Sequence, residues 1–214
     1  TVFVFGILIF LDFYYFEGKN SFLLLMIFAI YLSIEAIFSK EENPFSIVYY
    51  TYFWTIYIVC FLGTLILIRV DETISLSFSG RVVGLILLAV WFLDTFAYFG
   101  GKLFGKHKLI PEVSPGKTVE GSIIGILGAF MTVIIYKAIA FNSISFLHCV
   151  VMTVVICVSG QVGDIIESLL KRKAGIKDSS SYLPGHGGVL DRFDSLIFCS
   201  PFVYIYVKFF IFKI

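Results

Sequence analysis

The sequence predicts an all-α, polytopic integral membrane helical bundle with about seven transmembrane helices. Three observations predict it. Of the 214 residues, 59% are apolar and 14% charged, with a mean hydropathy of +0.97. Soluble domains run at roughly 45–50% apolar and ~25% charged. The apolar residues fall in runs long enough to cross a hydrocarbon core, which takes about 20 residues of helix. Lipid offers no partner for an open sheet edge, so the runs are read as helices. The same composition excludes a water-soluble enzyme, a disordered tail and a nucleic-acid-binding domain, because too little polar surface remains to solvate a globule of this size.

In chain order the spans are 1–16, 21–38, 45–68, 82–101, 119–141, 144–166 and 193–212. The first is short, and Pro201 is expected to kink the last. Gly121 and Gly125 stand at GxxxG spacing, which predicts close helix packing. The connections 17–20, 39–44 and 142–143 are short, whereas 102–118 and 167–192 are long, polar and rich in Gly, Pro and Lys. Two spans separate the long segments, so they share one side of the membrane. That side collects Lys40, Lys102, Lys106, Lys108, Lys117, Lys171, Arg172, Lys173, Lys177 and Arg192, ten of the 16 basic residues. The positive-inside rule therefore predicts that it faces the cytoplasm. The chain divides into 1–81, N-terminal transmembrane helices without a motif, and 82–214, a transmembrane region carrying the cytoplasmic loops 102–118 and 167–192. Cys60, Cys149, Cys157 and Cys199 lie in apolar runs without CxxC spacing and read as free thiols. His148, in an apolar span, reads as structural.

Acidic residues inside spans need a reason, since an Asp at a helix centre costs about 2.5–3.5 kcal/mol on insertion scales. Asp12, Glu35, Asp94, Asp164 and Glu167 are the candidates, and Asp12 and Glu35 read as structural. Asp94 and Asp164 lie at the depth of the two long loops. Asp164, Glu167, Ser168 and Lys171 follow at i, i+3, i+4 and i+7, one helical stripe leading out of the bilayer toward the basic cluster. Gly160, Gln161 and Gly163 precede it and allow close packing around a polar pocket.

The segment 168–195 fits phosphate chemistry. Lys171, Arg172 and Lys177 supply fixed positive charge for a polyphosphate. Gly185, Gly187 and Gly188 free the backbone to bring N–H groups near anionic oxygens. Asp191 and Asp194, at i and i+3 on the first turn of the last span, are expected to present two carboxylates on one helix face, a hard oxygen set that suits Mg²⁺. His186, between glycines, either shapes the turn or contacts a substrate. The runs Gly100–Lys106 and Pro115–Thr118 only imitate a P-loop: His107 stands at the Ser/Thr position of the first, and Pro111 at the first glycine position of the second.

The run from Ser168 to Asp194 resembles the signature of the phosphatidate cytidylyltransferase (CDP-diacylglycerol synthase) family: Ser-x-Leu-Lys-Arg, then Lys-Asp, then Leu-Pro-Gly-His-Gly-Gly, then Asp-Arg-Phe-Asp. Asp94–Tyr98 and Ser114–Gly121 are also similar to the family, so the resemblance covers roughly 82–214. It implies transfer of a cytidylyl group from CTP to phosphatidic acid, giving CDP-diacylglycerol and pyrophosphate. It further implies a homodimer in the bilayer, dependent on Mg²⁺ and in some members assisted by K⁺, with its site at the cytoplasmic face of a bacterial inner membrane or its equivalent. Members commonly carry nine spans, so seven imply an N-terminally shortened chain. The expected catalytic set is Asp164, Ser168, Lys171, Asp191 and Asp194, with Asp164, Asp191 and Asp194 as metal ligands. Ser114, Lys117, Arg172, Lys177, Asp178, His186 and Arg192 are expected to bind substrates, and Asp94 to support the site or a cation. A related CTP-dependent lipid enzyme (a polyprenol or phytol kinase, or a CDP-archaeol synthase) is the nearest alternative. A transporter of a phosphorylated solute is disfavoured, because the polar groups gather at one face and no internal repeat is visible.

Overall fold

The computed structural model describes residues 2–40, 43–177, 179–180, 188 and 190–212. Helix α1 (Val2–Phe16) is followed by α2 (Ser21–Phe38) and by α3 (Pro44–Trp54), which runs through a π-helical turn (Thr55–Cys60) into α4 (Phe61–Val70) as one continuous rod. Helix α5 (Leu76–Phe104) leads to a two-stranded hairpin, β1 (Lys108–Ile110) and β2 (Ser114–Thr118), then α6 (Val119–Ala140) and α7 (Phe146–Lys173). A 3₁₀ turn (Leu190–Arg192) precedes α8 (Asp194–Tyr206), which ends in a second π-helical turn (Val207–Ile211). Among the described residues six helical segments are long and apolar enough to cross a membrane; α1 is apolar but has only 15 residues.

The helix starts follow ordinary capping chemistry. Thr118 caps α6 by accepting the Gly121 N–H, and Ser145 caps α7 by accepting the His148 N–H. Pro44 opens α3, where its missing N–H costs nothing. Pro201 lies inside α8 without ending it. The core gathers Val82, Leu85, Ile86 and Ala89 of α5, Met152 and Ile156 of α7, and Leu196, Cys199 and Val203 of α8. Two polar knots tie other elements together. Asp12 accepts from the backbone and side-chain amides of Asn20 and from the Ser21 hydroxyl, closing the α1–α2 turn. Asp71, after α4, accepts from Thr73, from the Tyr204 hydroxyl at 3.0 Å and from Lys208 at 2.9 Å, joining that turn to the end of α8. Burial pushes the Asp71 carboxyl up, but the bonds from Thr73, Lys208 and Tyr204 outweigh it and bring the pKa down to about 2. His148 bonds the Tyr206 hydroxyl at 2.8 Å, a structural role, and all four cysteines are unpaired.

Two expectations about the connections are corrected. Helix α7 continues to Lys173, as the stripe through Lys171 requires, so the connection expected at 167–192 begins only after Lys173; nothing ends a helix at the lipid boundary when its next residues, Leu169 to Lys173, are helix formers. Helix α5 likewise runs from Leu76 to Phe104, beyond the expected 82–101. The segment 108–118 is the hairpin, pairing Lys108 with Thr118 and Ile110 with Ser114 around a bulge. Glu120 clips the hairpin to α6, accepting from the N–H groups of Lys106 and His107 and bonding His107 Nδ1 at 2.6 Å.

Helices α5 and α6 approach along a seam of glycines. A Cβ at Gly121 would stand 2.7 Å from the Ala97 carbonyl oxygen, and one at Gly125 would stand 2.7 Å from that of Leu93. Backbone atoms cannot yield as side chains do. Gly125→Ala is expected to lower stability by about 1–3 kcal/mol, the usual cost of overpacking, read as a lower thermal midpoint in detergent. Gly80→Ala, whose Cβ would meet nothing within 4 Å, should leave that midpoint unchanged or slightly raised.

Candidate active site

The end of α5, the hairpin, the start of α6, the end of α7 and the start of α8 meet at one end of the bundle. They enclose a cavity of about 530 Å³. Its wall includes Asp94 and Lys102 of α5, Ser114 and Lys117 of the hairpin, and Ser122 of α6. Gln161 and Asp164 of α7, with Asp191, Arg192 and Asp194, add further polar groups. The gathering of Asp94, Asp164, Asp191 and Asp194 around one space brings together carboxylates from three helices and a turn.

Asp164, Asp191 and Asp194, with Glu167 nearby, have compensating contacts. Lys117 pairs with Asp164, tying the hairpin to α7. Lys171 stands between two carboxylates, pairing with Glu167 one turn back on α7 and with Asp191 at 2.7 Å. This is the expected stripe, and Glu167 and Lys171 on it form an i, i+4 pair. Asp194 is nearly buried and accepts the Ser195 N–H at 2.6 Å. The Ser122 hydroxyl donates to Gln161 Oε1 at 2.5 Å, linking α6 to α7 in the cavity wall.

Asp191 lies on the 3₁₀ turn rather than in α8, so the two carboxylates do not share the first turn of one helix as expected. Phe193, which precedes α8, breaks the helical path between them. The Asp191 carboxylate collects the Lys171 ammonium, the Ser179 N–H at 3.0 Å, the Ser179 hydroxyl at 3.1 Å and the Gly188 N–H at 2.7 Å. Burial raises its pKa, but the Lys171 contact and the backbone bonds from Gly188 and Ser179 outweigh that and hold it well below the usual carboxylate range. Gly188 is required for close approach, since a Cβ there would collide with the Ser179 hydroxyl.

Of the other expected residues, Ser168 lies one turn beyond Asp164 on α7, outside the cavity wall. Arg172 turns to backbone, donating to the carbonyls of Val113 at 3.3 Å and Ile176 at 3.4 Å, and so props the hairpin. Lys177 is exposed beyond the wall. Asp178 and His186, with Gly185 and Gly187, lie outside the described residues. Ser122, Gln161, Lys102 and Ser195 belong to the wall without having been singled out as site residues. The legible signal for Gln161 was an amide inside an apolar span; a serine in a helix carries no comparable signal.

Among the described residues no three His, Cys, Asp or Glu side chains are grouped so as to hold a metal ion by themselves. The donor chemistry nonetheless suits Mg²⁺, which takes one or two carboxylates and completes its shell with water and substrate phosphate.

A family model described as the cytidylyltransferase family matches residues 1–210. A phosphatidate cytidylyltransferase of Bacillus subtilis (strain 168) is 46% identical over 123 residues, 58% of this chain and 46% of that protein. One of Thermotoga maritima is 42% identical over 129 residues, 58% of this chain and 48% of the other. One of Haemophilus influenzae is 44% identical over 133 residues, 59% of this chain and 45% of the other. The chain spans about half the length of the curated relatives it matches.

The depressed pKa of Asp191 sets a pH expectation. A carboxyl lowered on folding contributes stability that is present above the ordinary value of about 3.9 and is lost only as pH falls through the folded value. Amide exchange at Ser179 and Gly188 should therefore stay equally protected, after correction for intrinsic rates, between about pH 7 and pH 4. Asp191→Ala should remove that protection throughout the same range.

Proposed function

Because the chain belongs to the cytidylyltransferase family, we propose that it transfers a cytidylyl group from CTP to phosphatidic acid, releasing pyrophosphate and CDP-diacylglycerol, as a multi-pass membrane enzyme acting at the cytoplasmic face. One observation carries the reading: carboxylates from three helices and a turn, with Lys102, Lys117 and Arg192, line a single cavity at one end of the apolar bundle. Such a place suits two unlike substrates. The lipid phosphate cannot leave the interface, and the nucleotide triphosphate cannot enter the hydrocarbon.

The lipid phosphate oxygen attacks the α-phosphorus in line, a new P–O bond forms, and the bond to the β-phosphate oxygen breaks as pyrophosphate departs. The attacking phosphate is already ionised at neutral pH, so no strong general base is required. Catalysis then rests on positioning and on electrostatic stabilisation of the spread charge. Lys171 and Arg192 neutralise the triphosphate and the leaving pyrophosphate, with Arg172 and Lys177 adding positive charge at the rim. Lys117 and Ser114, on the hairpin, receive the lipid phosphate. Ser168 orients a phosphate oxygen from the turn below. One or two of Asp164, Asp191 and Asp194 would hold Mg²⁺, which would supply neutralising charge against the phosphates, with K⁺ as a second cation; the place of these carboxylates in the cavity wall supports that role. Asp178 and His186 complete the substrate-binding set, and the working unit is a homodimer.

Purified protein incubated with labelled CTP, Mg²⁺ and phosphatidic acid should yield a lipid-soluble cytidine product; a label that stays in the aqueous phase defeats the proposal. Replacing phosphatidic acid by a polyprenol, with CTP labelled at its γ-phosphate, should give no labelled lipid. Asp191→Asn should lower turnover by about a thousandfold or more, the scale set by losing a group that stabilises transition-state charge. Lys171→Ala should chiefly raise the KM for CTP, and an unchanged CTP dependence would remove its assigned role.

A further inference from the structure

Among the described residues, the buried side-chain oxygen and nitrogen atoms without a hydrogen bond belong to Tyr57, Lys117 and Glu167. Lys117 and Glu167 have ionic partners in Asp164 and Lys171. The Tyr57 hydroxyl has no such partner, although the residue is only 3% exposed. Burying a hydroxyl without a hydrogen bond is costly, and such groups are rare enough in folded proteins to require a reason.

Three features of the fold place it. Tyr57 lies on the π-helical turn Thr55–Cys60, an insertion that redirects the side chains it carries and recurs at functional sites. Its ring is fixed by Trp54 and Phe61, each at 5.8 Å between centroids, and by Phe53 at 5.9 Å. On its far side it meets Phe198 of α8 at 6.4 Å. Phe198 stands four residues after Asp194, so the two share one face of α8 and are one turn apart. Helix α7 passes close on the same side, since a Cβ at Gly163 would stand 3.0 Å from the Asp194 carbonyl oxygen. A rigid aromatic plug thus holds one unpaired hydroxyl against the face of α8 that carries Asp194.

We propose that Tyr57, on the rod formed by α3 and α4, is a positioning residue of the transfer reaction, its hydroxyl donating to the Asp194 carboxylate when nucleotide fills the cavity. The inference rests on the cytidylyl-transfer reading. It also gives the region before residue 82, which carries no motif, a part in the site.

Tyr57→Phe in the full chain keeps the ring and removes only the donor. In detergent without ligand, its thermal midpoint is expected to equal or exceed that of the parent, because no unpaired hydroxyl is buried. Turnover should fall by about tenfold or more with a smaller change in the KM for phosphatidic acid, the scale of one hydrogen bond to a charged group. The rise in thermal midpoint produced by CTP with Mg²⁺ should shrink. Parent-like turnover and an undiminished CTP-induced rise would overturn the proposal, as would a lowered ligand-free midpoint with both of those intact, which marks a purely structural tyrosine. Phe53→Leu, which loosens the ring packing alone, should show that last pattern. If the parent itself makes no lipid-linked cytidine, the transfer reading fails, and the CTP-induced rise still decides whether Tyr57 acts on the cavity.

Discussion

Carboxylates at the ends of apolar helices must be compensated where they stand, and much of the architecture around the cavity answers that requirement. Taking an ion out of water costs several kcal/mol even after the surroundings relax, and removing one partner of a pair leaves the other charge stranded. Lys117 answers Asp164 across the gap between the hairpin and α7. Lys171 answers Glu167 within α7 and Asp191 across the gap to the 3₁₀ turn. Two of these contacts therefore also close the site, because Lys117–Asp164 and Lys171–Asp191 join segments far apart in the chain.

Such short-range pairing demands that the helices come close, and the small residues allow it. The glycines of α6 let it lie against the backbone of α5, and Gly163 lets α7 lie against Phe198 and the start of α8. Within lipid this packing cannot draw on the hydrophobic effect between helices, so it depends on close backbone approach and on polar links such as Ser122 with Gln161. The hairpin completes the enclosure. Its last residue, Thr118, caps α6, and Glu120 on that helix holds the hairpin's entry, so strand pairing and helix capping position Lys117 together.

The acids divide by surroundings rather than by type. Asp12 and Asp71 have their oxygens taken up by neighbouring amides, hydroxyls and an ammonium, and each ties a turn to the bundle. Asp94, Asp164 and Asp194 face the cavity. Asp191 does both, facing the cavity while gathering Lys171, Ser179 and Gly188. A carboxylate with that double duty couples the loop after α7 to whatever occupies the space beside it.

The helical class, the order of the spans and the site's main acids and lysines were determined by the sequence itself, since they depend on local quantities: the length of apolar runs, the 3.6-residue period that sets Asp164, Glu167 and Lys171 on one stripe, and the cost of a charge in lipid. The hairpin escaped because a two-stranded element of mixed polarity has no strong period and draws its stability from α6. The ends of α5 and α7 escaped because hydropathy marks where lipid stops, not where a helix does. Only the tertiary structure decided that Arg172 turns to the hairpin backbone, that Gly188 serves close packing, and that Tyr57 packs against Phe198, one turn from Asp194. Those facts are set by which surfaces meet across the bundle, and contacts between residues distant in the chain leave no trace in their local pattern.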